Sequence, residues 1–146
     1  MNQITIIIAF LGILFSSCNF TSKPNYEIAG EQSELISTII DAVNEKNAEK
    51  YVEGFAENIQ IFVGTEMKIE GKENLKINRA NHFKNHPNVR SEIQHLVEID
   101  NKVIMHDKVW LDNSDNLGQN IVEIFTFKNG EISRVDVIQP NDLFQN

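Results

Sequence analysis

Pro87 divides this chain into two hydrophobic rhythms, and that division constrains the fold more than any other feature. Upstream, apolar residues recur at helical spacing: Leu35, Ile36, Ile39, Ile40 and Val43 form a single stripe. Asn44-Glu45-Lys46-Asn47 interrupts it, and Asn47 suits the N-cap of a second, short helix that buries Tyr51, Val52 and Phe55. Ile59, Ile61 and Val63 then alternate as a strand ending at Gly64, and Met67 and Ile69 form a returning arm closed by Glu70-Gly71. A third helix is expected over about residues 72–86, because proline disfavours helix in the residue before it and cannot continue one.

Downstream of Pro87 the period drops to two. Val89, Ser91, Ile93, His95, Val97 and Ile99 are expected on one face of a strand, which turns at Asp100-Asn101 and returns over residues 103–111. A polar loop at 112–118 precedes another strand at 121–127, a turn at Asn129-Gly130 and a last strand at 132–138. Helices followed by an antiparallel sheet predict an α+β fold with the helices packed on one sheet face.

The first eighteen residues carry a different signal. An apolar run from Ile4 to Phe15, broken only by Thr5 and Gly12, is too short to span a bilayer of roughly 30 Å. It reads as the core of a signal peptide over residues 1–17. Ser16-Ser17-Cys18 follows and is similar to the lipobox of bacterial lipoproteins, in which the cysteine is lipidated and becomes the mature N-terminus. Cys18 is the only cysteine, and an unpaired thiol in an exported protein otherwise needs explaining. No Lys or Arg precedes the run, which departs from the usual pattern. Residues 18–30 are polar, contain Pro24 and read as a tether. These features predict a lipid-anchored protein of the cell envelope, with one domain over 31–140 and a short tail at 141–146. The anchor is its expected membrane contact, because an acidic domain is repelled by anionic head groups.

The 146 residues include 21 acidic and 13 basic side chains, a net charge of −8, so a phosphate-neutralising surface is not expected and nucleic acid is a poor partner. An apolar fraction of 41% is ordinary for a folded domain and excludes a disordered tail.

The last hairpin admits two registers. A two-residue turn at Asn129-Gly130 would set Glu123 opposite Asp136, an unfavourable like-charge pair. A three-residue loop of Lys128-Asn129-Gly130 instead sets Glu123 opposite Val135 and Ile121 opposite Val137. The second is preferred here. It groups Ile121, Phe125, Phe127, Val135 and Val137 on one inward face with Glu123 alone among them. Val122, Ile124, Ile132 and Ile138 then fall on the other face, a candidate homodimer surface. A carboxyl group on an apolar face is desolvated and has a raised pKa unless paired, which equips it to donate a hydrogen bond or accept a proton.

In the preceding hairpin a two-residue turn sets His95 opposite His106 and Val97 opposite Ile104, on a face that also includes Ile93 and Trp110. His106 and His95 are therefore candidate partners of Glu123 in acid–base chemistry. Trp110, Ile104, Phe62, Phe125, Val135 and Val137 are candidate pocket wall. Two histidines and a carboxylate also match a metal-binding set, and His82 and His86 stand four apart on the third helix. No third ligand accompanies the helical pair, and neither metal nor cofactor is expected.

Residues 32–139 resemble the SnoaL-like branch of the nuclear-transport-factor-2-like superfamily. The resemblance rests on residues 39–47 (IIDAVNEKN), 55–59 (FAENI), 69–75 (IEGKENL, with Gly71 opening the third helix) and 125–132 (FTFKNGEI). It implies a cone in which a curved antiparallel sheet wraps three helices around a mostly apolar cavity. The superfamily includes ketosteroid isomerase, polyketide cyclases and non-catalytic binding domains, so the fold does not settle the activity. Glu123 falls near the protonated aspartic acid of the ketosteroid isomerase oxyanion hole. That enzyme's tyrosine and its aspartate base would fall near Ile39 and near Phe62 or Val63, which move no protons. The expectation is an envelope lipoprotein that binds a small apolar molecule. The alternative is an isomerase-like or cyclase-like enzyme using Glu123 and His106.

Overall fold

The computed structural model describes residues 30–114 and 117–140; the leader, Cys18, nearly all of the tether and the tail lie outside the described residues. The helices are α1 (Glu31–Glu45), α2 (Ala48–Val52) and α3 (Lys72–Asn85). The strands are β1 (Phe55–Val63), β2 (Glu66–Glu70), β3 (Arg90–Ile99), β4 (Lys102–Trp110), β5 (Gln119–Lys128) and β6 (Glu131–Ile138). Among the described residues no helix is long and apolar enough to cross a membrane.

The stripe read from the sequence is the buried face of α1, where Ile36, Ile39, Ile40 and Ala42 meet the sheet. Glu31 and Glu34 sit in its first turn, where the helix dipole favours negative charge. The side chain of Glu98 from β3 caps the same end: the Ser33 amide and hydroxyl both donate to its Oε2, at 2.9 and 2.6 Å. Lys46 ends the helix in the left-handed region (φ 59°). Asn47 caps α2, its Oδ1 accepting from the Lys50 amide at 3.0 Å. Phe55 opens β1 instead of closing α2. Gly71, at φ 89°, makes the turn into α3 that a side chain would strain.

The six strands run in the order β2-β1-β6-β5-β4-β3. The sheet is mixed, not wholly antiparallel: β1 lies parallel to β6 while the other pairs are antiparallel. This follows from connectivity, since β6 returns to the middle of the sheet beside the first strand. α1 packs across β3 and β4, and α3 across β1 and β2, so the helices fill the concave side. Phe55, Phe125, Ile36, Ile39, Ile59 and Ile132 are fully buried between these layers. Each such side chain contributes about 1.5–3 kcal/mol relative to exposure.

Two bulges set which side chains face inward. In β3 the pairing steps from Ile93–Asp107 to His95–His106, leaving Gln94 as an extra residue. Ser91 and Ile93 before it are buried, whereas His95, Val97 and Ile99 after it are exposed, so these residues do not share one face as the simple alternation predicts. In the last hairpin the turn is a two-residue one, with Asn129 at φ 55° and Gly130 at φ 84°. Ser133 is the extra residue in β6, moving the pairing from Phe127–Ile132 to Thr126–Arg134. Glu123 therefore faces Val137, and Phe125 faces Val135. The expected register is off by two, which keeps the same odd-numbered face inward. The bulge also turns Ile132 into the core, so Ile132 leaves the candidate dimer surface.

Candidate functional site

Between the helices and the concave face lies a cavity of about 350 Å³. Ile39, Ile40 and Val43 of α1 form one wall, and Leu75, Asn78, Arg79 and His82 of α3 another. β1, β2 and β6 contribute Ile61, Val63, Ile69 and Val137, so most of the lining is aliphatic. The acids come from neighbouring strands, Asp107 from β4 and Glu123 from β5. Met105 pairs with Glu123 and Asp107 with Ile121, so the two carboxyls are diagonal neighbours on the inner face.

Asp107 is 3% exposed, yet it is anchored. The Ser91 hydroxyl donates to Asp107 Oδ2 at 2.6 Å. Ser91 is held in turn by Asn44, whose Oδ1 accepts from the Ser91 amide at 2.8 Å and whose Nδ2 donates to the Ser91 carbonyl at 2.9 Å. Asp107 Oδ1 is buried and has no hydrogen-bond partner among the described residues, leaving an acceptor free at the cavity. Glu123 is half-buried and lines the same cavity.

Burial pushes the Glu123 carboxyl well above the ordinary carboxylate range, the nearby Asp107 charge raises it further, and Arg79 partly opposes both. Asp107 is raised as well, chiefly by burial, with the Ser91 hydrogen bond working in the opposite direction. Two interacting acids titrate as a pair, and the Ser91 donor favours Asp107 as its ionised member. Two further side chains shape the field. Burial drives the Tyr51 hydroxyl up to about 12, so it stays protonated as a donor. Burial and the Arg79 charge drive His82 down to about 4, so its ring is neutral at neutral pH. This cavity can take an apolar body while presenting carboxyl and phenol groups to a carbonyl or hydroxyl oxygen, and a carboxylate to an acidic proton.

Glu123 and Val137 line this cavity. Phe125 and Val135 share the inner face but are packed into the core instead of lining it. His106 and His95 do not join Glu123. The Gln94 bulge and strand alternation place both on the outer face, ring planes 6° apart and Nδ1 atoms 3.1 Å apart, with His106 Nε2 bonded to Asn120 Oδ1 at 3.0 Å. Ile104 lies on that outer face too, between the buried inward residues Val103 and Met105. Trp110 alternates outward from cavity-lining Val109 and Leu111, and the Arg90 guanidinium stacks on it 3.5 Å from the ring centre. Phe62 points away between Ile61 and Val63, under Arg134 at 3.8 Å.

Asp107, Ser91, Arg79 and Tyr51 were absent from the expected site. Asp107 had a legible signal: it stands alone in the odd-numbered row Val103, Met105, Asp107, Val109, as Glu123 does between Ile121 and Phe125. The conspicuous histidines drew attention to the opposite row. Arg79 and Tyr51 left no comparable trace, because helix–sheet docking directs them.

Helices packed against a curved mixed sheet around an acid-bearing apolar cavity define the cone-shaped α+β class. The chain belongs to the SnoaL-like domain family, whose model matches residues 36–135. No curated protein sequence matches it. Among solved structures, an uncharacterised cystatin-fold protein from Novosphingobium aromaticivorans is 22% identical (TM-score 0.67), covering 73% of this chain and 96% of that one. A proposed ketosteroid isomerase from Kribbella flavida is 16% identical (TM-score 0.61), covering 73% and 76%. A proposed polyketide cyclase from Sinorhizobium meliloti is also 16% identical (TM-score 0.61), covering 71% and 93%. These likenesses establish the fold.

Proposed function

We propose that this chain binds a small, mainly apolar molecule in the cavity, with its oxygen-bearing part against Asp107 and Glu123. The observation that carries the reading is a carboxyl pair on the inner wall of a mostly aliphatic cavity of about 350 Å³, within the usual span of about 300–1,000 Å³ for ligand pockets. Titration with steroid-like and polyketide-like ketones and phenols tests it. Saturable binding that weakens about tenfold in Glu123→Gln or Asp107→Asn supports it, since a buried hydrogen bond to a charged group is worth about 1.5–3 kcal/mol. Failure of every compound to saturate overturns it.

A second reading has its own support. Burial raises both acids towards neutrality while Ser91 favours ionised Asp107, which suits one carboxyl to accept a proton and the other to donate. The chain then acts as an isomerase or cyclase in which Asp107, not His106, is the partner of Glu123. Turnover that disappears in both acid variants establishes this reading; binding without turnover leaves the first.

In both readings Cys18 carries the lipid anchor that holds the domain at the cell envelope. Incorporation of a labelled fatty acid that is lost in Cys18→Ala tests the anchor. A homodimer through the outer residues Val122, Ile124 and Ile138 is a further proposal, which light scattering decides.

A further inference from the structure

The charge at the cavity's mouth runs against the charge of the protein. The chain carries −8 overall, yet, Glu123 aside, the polar lining residues that keep contact with solvent, and so mark the mouth, are Lys68, Asn78, Arg79, His82 and Gln139. None is acidic. Asp107 is buried and hydrogen-bonded to buried Ser91, and Glu123 is its diagonal neighbour on the inner face of the sheet. Lys68 is partnered by Glu66 at the surface. Arg79 is different: its Nε and Nη2 donate to Asn78 Oδ1 at 3.2 and 2.7 Å, and among the described residues no carboxylate pairs with it. Its guanidinium stands 5.7 Å from the Tyr51 ring centre, over the apolar lining and half-shielded from solvent. A half-buried guanidinium whose hydrogen-bond partner is a single amide oxygen retains donors for a planar anion, which it grips in a forked geometry.

We infer that the ligand is a monoanion, a mainly apolar carboxylic acid whose carboxylate sits on Arg79 at the mouth while a hydroxyl or carbonyl at its other end reaches Asp107 and Glu123. This deepens the binding reading and rests on it. Electrostatics sets the direction of entry: with the anion innermost, like charges would meet at Asp107, so the carboxylate stays at the cationic end. A cavity of about 350 Å³ has room for a body of one or two rings between the two polar groups.

The test uses the full chain and two probes differing only in charge, 6-hydroxy-2-naphthoate and its methyl ester, titrated by calorimetry at pH 7. The acid is expected to bind about tenfold or more tightly than the ester, the scale of one charge-assisted contact. Arg79→Gln is expected to remove most of that preference, and Arg79→Lys to keep part of it, while thermal melts confirm that both variants are folded. Equal binding of acid and ester overturns the anion inference and leaves the pocket reading standing. A preference for the acid that survives in Arg79→Gln overturns the assignment to Arg79. If neither probe binds, the pocket reading and this inference fall together.

Discussion

Glu123 and Asp136 lie on adjacent strands one register step apart, but on opposite faces of the same sheet. Inside, burial and a second acid raise the Glu123 carboxyl. Outside, Arg134 donates through Nε to both Asp136 oxygens, at 2.8 and 3.0 Å, and holds that carboxyl below its usual range. Two similar groups on neighbouring strands are thus shifted in opposite directions. The difference teaches that the face of the sheet, not the residue type, decides which titratable groups in this fold are equipped for chemistry. The histidines make the same point from the other side. They look catalytic in the sequence, but they lie on the outer face, away from the cavity.

Four measurements break or sharpen this contrast. The largest effect is expected in the core. Phe125→Ala should cost about 3–5 kcal/mol in urea unfolding, against less than about 1 kcal/mol for Val97→Ala on the outer face, and equal costs would erase the distinction. Next is the pH dependence. A raised folded pKa means that the native state holds its proton longer than the unfolded chain does. Native stability should therefore fall as pH rises from the ordinary carboxylate range through the raised Glu123 pKa. Glu123→Gln should match wild type at about pH 4.5 and exceed it by about 1–3 kcal/mol at pH 8.5. Asp136→Asn should behave oppositely: it loses stability above the unfolded carboxylate pKa, by no more than about 1 kcal/mol for so exposed a pair, and converges with wild type in acid.

Third, Ser91→Ala should raise the Asp107 titration midpoint in carboxyl carbon NMR and cost about 1–2 kcal/mol, with Ser91→Thr restoring the donor. The smallest effect is predicted for His106→Ala: stability within about 0.5 kcal/mol of wild type and probe affinity within twofold. A large loss of binding there would sink the two-face account.

Much of the fold was legible because hydrophobic period is a local signal. The stripe of α1, the Asn47 cap, the stop at Pro87 and the two-residue turn at Asp100-Asn101 each rest on a few neighbouring residues, whereas the three-residue loop preferred for the last hairpin gave way to a two-residue turn and a bulge at Ser133. The parallel pairing of β1 with β6 was not, since it joins distant segments and no local pattern encodes it. The site was half legible. Glu123 and Val137 follow from alternation, which survives an even-numbered register error. His95 fails because a bulge at Gln94, marked by neither glycine nor proline, inverts the alternation partway along β3. Arg79 and Tyr51 reach the cavity through the docking angles of two helices, which depend on the packed core as a whole.

The extra residue in β6 has an evolutionary consequence. Deleting Ser133 would leave Phe127–Ile132 and Thr126–Arg134 as successive pairs, so Val135 and Val137 would still face inward and Arg134 and Asp136 outward. The bulge is thus a place where the strand can gain or lose one residue without exchanging its faces. A one-residue gap elsewhere in β6 would instead turn every side chain beyond it to the other face, so the position of a gap, not its mere presence, tells whether the inner wall has changed.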